Sequence, residues 1–149
     1  MIDEYIKSKL DLEAASAFLN EVLENKKKSL QNKANSNSFI GNAIFEIEEK
    51  RFSLLAKCKE HLDFVINVLK DYVNQENTQS NATPSYKPRK FTFHSDLGKY
   101  QTEVNKAKKK IETLRWVSSM TGDAEKTALY QECIDKLNYV YSHISKKIY

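Results

Sequence analysis

Residues 39–74 read FIGNAIFEIEEKRFSLLAKCKEHLDFVINVLKDYVN. Within them Ile44, Ile47, Arg51, Leu54, Cys58, His61, Val65, Val68 and Tyr72 recur in alternating steps of three and four. That is an unbroken heptad seam of the coiled-coil kind. A second row, Phe45, Phe52, Leu55, Leu62, Ile66, Leu69 and Val73, lies beside the first and widens the apolar face. A face this wide fits a helix touching two neighbours rather than one. The stretch is therefore expected at the centre of a helical bundle.

The rest of the chain supplies the neighbours. A first helix is expected from about Asp3 to about Lys28, with Tyr5, Leu12, Ala15, Leu19, Val22 and Leu23 on one face. Beyond Glu24 its pattern thins into Lys26, Lys27 and Lys28, which reads as a solvated overhang. The polar run Ala34-Asn35-Ser36-Asn37-Ser38 then suits a loop and a helix N-cap. After the central helix, a polar run and then Pro84 and Pro88 exclude a continuous helix over residues 75–93. A third helix starts near Ser95 or Asp96 and reaches Met120, with Leu97, Tyr100, Val104, Ala107, Ile111 and Leu114 as its seam. Thr121-Gly122-Asp123 stops it and caps a fourth helix, because Gly supplies the left-handed turn and Asp accepts free backbone N–H groups. The fourth runs to about Lys147, with Tyr130, Cys133, Ile134, Leu137, Val140, Tyr141 and Ile144 inward.

The expected fold is all-α: an antiparallel four-helix bundle built from two long helical hairpins joined by a flexible linker. Residues 1–149 form one helical domain, with the linker at about 75–94. The composition agrees. A chain of 149 residues is one domain's worth, and only 3 Gly and 2 Pro argue against a turn-rich β sandwich.

Composition also narrows function. Gly41, Gly98 and Gly122 are isolated, so there is no phosphate-cradling loop. A di-iron bundle site needs Glu-x-x-His, yet the residues three before His61, His94 and His143 are Cys58, Phe91 and Val140. Cys58-x-x-His61 offers at most two of the four ligands a zinc site takes, so a buried thiol and a core-edge imidazole are the better reading. No metal, no cofactor and no enzymatic activity are expected. Two cysteines 75 residues apart fit free thiols in a reducing cytoplasm. No stretch is apolar enough to cross a membrane, and none is expected as a partner.

Charge is distributed unevenly. Residues 1–80 carry 11 Lys/Arg against 13 Asp/Glu, whereas residues 81–149 carry 13 against 7. A basic second half favours an acidic partner without choosing which. Arg51, His61 and Arg115 fall on or near seams, where polar groups fix register by pairing with acids such as Glu13, Glu21, Glu46 or Glu48.

Three functional readings follow. The leading one is a non-enzymatic protein–protein interaction module, an adaptor, inhibitor or small subunit, acting through surplus apolar residues on exposed helix faces. Its candidate residues are Phe45, Phe52, Trp116 and Tyr139, and homodimerisation through the second helix would use the same surplus. The alternative is a nucleic-acid-binding surface from the basic linker and third helix: Lys87, Arg89, Lys90, Lys99, Lys106, Lys109, Lys110 and Trp116. Lysines would track phosphates while the indole stacks a base. The third reading comes from Arg89-Lys90-Phe91-Thr92-Phe93-His94, whose Arg-x4-His spacing resembles the ribonuclease motif of HEPN-type helical bundles. The resemblance covers six residues and implies a nuclease using Arg89 and His94. It departs from that family in lying in a Pro-bearing linker and in having Lys90 where a small polar or acidic residue is usual.

Overall fold

The structure is a computed structural model and describes the backbone of residues 2–34, 39–76 and 97–144; side chains are described for 3–28, 46–47, 49–76 and 101–143. The chain is all-α. Four helices follow in order: α1 (Ile2–Ala34), α2 (Phe39–Glu76), α3 (Leu97–Met120) and α4 (Ala124–Ile144). They form a helical bundle whose core is built from the expected seams. Leu12, Leu19, Leu55, Leu62, Val65, Leu69, Val104, Ile111 and Leu137 are fully buried.

Side-chain pairs fix the directions. Tyr5 meets Tyr72 edge-on at 5.0 Å, and the Ser16 hydroxyl donates to Asp63 Oδ1 at 2.6 Å, so α1 and α2 are antiparallel. Lys57 lies over the Tyr139 ring at 4.9 Å and Lys136 over Phe64 at 4.7 Å, so α2 and α4 are antiparallel too. Gln101 Nε2 donates to the Tyr141 carbonyl at 2.9 Å, and Arg115 meets Gln131 about four turns further along α3 and about three turns back along α4, which runs α3 against α4. The neighbours around the ring are α1–α2, α2–α4, α4–α3 and α3–α1. It follows that α2 and α3 point the same way across one diagonal. Glu76 and Leu97, the helix ends that residues 77–96 connect, therefore lie toward opposite ends of the bundle.

The helix pairs differ in length. At 1.5 Å per residue, the 33 residues of α1 and 38 of α2 extend about 50 and 57 Å, against about 36 and 32 Å for the 24 of α3 and 21 of α4. Since Tyr139 sits level with Lys57 and His61, the first turns of α2 and the last of α1 stand clear of the described parts of α3 and α4.

Two seam expectations fail for this reason. Ile47 is 53% exposed although its seam phase points inward, because the described parts of α3 and α4 end short of it. Tyr141, at the level where α3 begins, is exposed as well. The first helix also continues to Ala34 rather than ending near Lys28, as a run without Gly or Pro allows. The second continues through Glu76, so the linker is shorter at its start than expected. The expected end of the fourth helix, near Lys147, lies outside the described residues.

Candidate functional site

On α3 the inward positions are Val104, Ala107, Ile111, Leu114 and Ser118, all buried. At 100° per residue the opposite face carries Lys106, Lys109, Thr113, Trp116 and Met120. In the last two turns of that outer side Trp116 is 63%, Val117 47% and Met120 69% exposed. Three large apolar side chains stand together in solvent.

The turn beyond them is closed on both sides. Gly122 takes φ +78°, and the Asp123 N–H donates to the Ser118 carbonyl (2.9 Å) while the Gly122 N–H donates to the Ser119 carbonyl (3.2 Å). These two bonds are the Schellman ending of α3, which only a left-handed residue permits. The Asp123 carboxylate then accepts the Lys126 N–H at 3.1 Å and caps α4. The Ser118 hydroxyl donates to the Arg115 carbonyl at 3.0 Å and lies 3.1 Å from the Thr127 hydroxyl, tying the two helices at the turn. The exposed apolar group is therefore carried by a rigid hairpin.

Beside Trp116 the two helices leave an open cavity of about 620 Å³, lined among others by Ser119, Ala124, Thr127 and Ala128. Arg115 and Gln131 line it as well. Arg115 donates to Gln131 Oε1, and Gln131 Nε2 donates to Asp135 Oδ1 at 2.9 Å. The seam reading pairs Arg115 with an acid; among the described residues its side-chain partner is instead the neutral amide of Gln131 on the adjacent α4.

The other predicted residues distribute as follows. Phe52 is partly buried against the core. Tyr139 is partly buried between α2 and α4, edge-on to His61 at 5.0 Å and stacked on His143 at 4.1 Å. Burial and the nearby Lys136 and Lys57 lower the His61 pKa, against a smaller opposing pull from Glu60. The side chain of Phe45 lies outside the described residues. A second open cavity, about 520 Å³, lies on α2 between Glu46, Glu49, Lys50, Leu54, Lys57 and Tyr139.

Of the lysines expected together, Lys106 and Lys109 are exposed on the outer face of α3, and Lys106 lies 3.8 Å from buried Glu103. Lys110 departs from that face: it reaches across to Glu4 of α1, whose carboxyl is held below the usual range by that bond and charge. The Lys99 side chain and all of Lys87, Arg89, Lys90 and His94 lie outside the described residues. Cys58 and Cys133 are free and buried, and desolvation pushes both thiols up to about 12. Among the described residues no three His, Cys, Asp or Glu side chains are grouped to hold a metal ion, and no helix is long and apolar enough to cross a membrane.

Two features escaped sequence reasoning. Val117 joins Trp116 and Met120, which its place beside them on the helical wheel could have indicated. The Arg115–Gln131–Asp135 chain depends on the α3–α4 register, and no local signal encodes that. No protein family, curated protein or solved structure was found to match the chain.

Proposed function

We propose that the protein is a non-enzymatic protein–protein interaction module whose working surface is the outer face of the α3–α4 hairpin. The observation that carries this is the joint exposure of Trp116, Val117 and Met120 on the final turns of α3. Scattered exposed apolar residues are ordinary, but a contiguous group centred on a Trp is what interface hot spots are made of. Its rigid mounting supports the reading, since a preformed surface loses little entropy on binding. Two free, buried cysteines agree with a reducing, cytoplasmic setting.

The test is capture by the wild-type protein and by Trp116→Glu/Met120→Glu, with sedimentation of both forms to register self-association. Partners, or a second copy, should be lost from the double variant while its circular dichroism and melting stay unchanged. An identical partner set and oligomeric state would overturn the reading.

A second reading has its own observation. Lys106 and Lys109 continue the Trp116 stripe up the same outer face of α3, an arrangement suited to single-stranded nucleic acid. Anisotropy of a labelled oligonucleotide across a salt series should then show affinity falling linearly in log salt, by about 0.7 per phosphate contact. Lys106→Glu/Lys109→Glu should flatten the slope. No binding at low salt would remove this alternative.

A further inference from the structure

We propose that the cleft between α3 and α4 is a carboxylate-reading peptide site, in which Arg115 takes an Asp or Glu side chain of a partner peptide and Trp116 packs on the apolar residue beside it. The proposal rests on the hairpin face being an interaction surface, and adds the chemistry of what that surface selects.

A guanidinium carries five N–H donors in a fixed fork. Among the described residues Arg115 spends a donor on one side chain, the amide of Gln131, and that partner is neutral. Gln131 is itself held by Asp135 at 2.9 Å, so the fork is oriented before any ligand arrives. The cation thus lines an open cavity of about 620 Å³ with no carboxylate partner of its own among the described residues. Asp123, the acid on the same lining, is engaged elsewhere: it caps α4 at 3.1 Å and lies 4.0 Å from the Lys126 ammonium. Arginine with free paired donors recognises a carboxylate bidentately, and charge-assisted bonds of this kind are about twice as strong as neutral ones.

The apolar half of the site is equally specific. Trp116 walls the cavity, and Ala124 and Ala128 opposite leave room for a side chain against the indole. A small carboxylate would occupy only part of the cavity and leave Trp116, Val117 and Met120 largely in solvent, whereas a peptide reaches all three. Nucleic acid fits less well: among the described residues Arg115 is the one cation on the lining and Asp123 lies on it too, so the cleft has a place for one carboxylate but no row of cations for successive phosphates.

The test uses a random library of 12-residue displayed peptides selected on the whole protein, with Trp116→Glu/Met120→Glu as the depleting competitor. The expected pool has Asp or Glu next to a large apolar residue. Selected peptides should shift the emission of Trp116, the sole Trp of the chain. Replacing the peptide acid by its amide should weaken binding about tenfold, in line with the loss of a charge-assisted pair. Arg115→Gln should erase the difference between acid and amide peptides. Arg115→Lys should keep part of it, and melting curves verify that both variants are folded.

Peptides that need Trp116 but carry no acid preference, or that ignore Arg115→Gln, would overturn the carboxylate assignment and leave the interaction surface standing. A pool with no dependence on Trp116 and Met120 would overturn both. A labelled oligonucleotide that outcompetes the selected peptides and is lost on Arg115→Gln would assign the cleft to nucleic acid instead.

Discussion

Exposing the native protein to iodoacetamide at pH 8 probes the closure of the core at two places, Cys58 on α2 and Cys133 on α4. Both thiols are buried, and both pKa values are pushed from 9.0 up to about 12. Only the thiolate is alkylated. At pH 8 a thiol of pKa 9.0 is about one-tenth ionised and a thiol at about 12 about one ten-thousandth. Ionisation alone therefore slows native alkylation about a thousandfold relative to the unfolded chain, before any steric exclusion is counted. Alkylation faster than this direct reaction of the closed form proceeds through opened molecules, and its rate then measures the free energy of opening. Intact mass against time, in buffer and in urea, reads the effect, and peptide mapping assigns each site. Both cysteines should react promptly in urea and at least about a thousandfold more slowly when folded. Alkylation of either thiol in the folded protein at within tenfold of its urea rate would show that the reasoning about this core is wrong.

Gly122→Ala should destabilise the protein by about 1 kcal/mol, which is the left-handed penalty for a Cβ less the entropy it removes from the unfolded chain. Nothing lies within 4 Å of the added Cβ, so the loss is conformational rather than steric, and φ +78° is its source. Tm should fall by roughly 2–4 °C, with Gly122→Asn losing less; an alanine variant melting with the wild type would refute this. For His61, burial and then Lys136 and Lys57 hold the folded pKa below the ordinary 6.5. The unfolded chain therefore binds the proton more readily, so its contribution is complete above pH 6.5 and is lost as pH falls through 6.5 toward the folded value. Urea midpoints from pH 7.5 downward should decline in that window, and His61→Gln should decline less; equal slopes would dismiss the imidazole as the cause.

The seams were legible because burial imposes a period. Leu12, Leu19, Leu62, Leu69, Ile111 and Leu137 repeat at helical spacing, and all are buried. Gly122 and Asp123 were legible for a different reason: ending one helix and starting another demands particular backbone chemistry within a few residues. Trp116 could be placed outward because the wheel of α3 leaves it nowhere else. What could not be read depends on how far one helix slides along another. Ile47 has the right phase to be buried and is exposed because the described parts of α3 and α4 end short of it. Lys110 lies next to the exposed Lys106 and Lys109 on the wheel, yet Glu4 lies within its reach from another helix. The bond from Ser16 to Asp63 joins residues 47 apart, and no local pattern announces it. Side-chain phase is a local property, and helix length matching and register are not.

The directions of the helices also decide how the bundle would carry a load. Since α2 opposes both α1 and α4, the first turn of α1 and the last turn of α4 lie toward opposite ends. Tension between them acts along the helix axes and asks the seams to slide as a whole. It does not peel contacts apart one turn at a time. A grip on Ile2 and Ile144 therefore meets the resistance of the entire Leu- and Val-lined core at once, so rupture requires crossing the forced-unfolding barrier of the whole bundle. A grip on the two helices of one hairpin at their open end unzips it turn by turn at lower force.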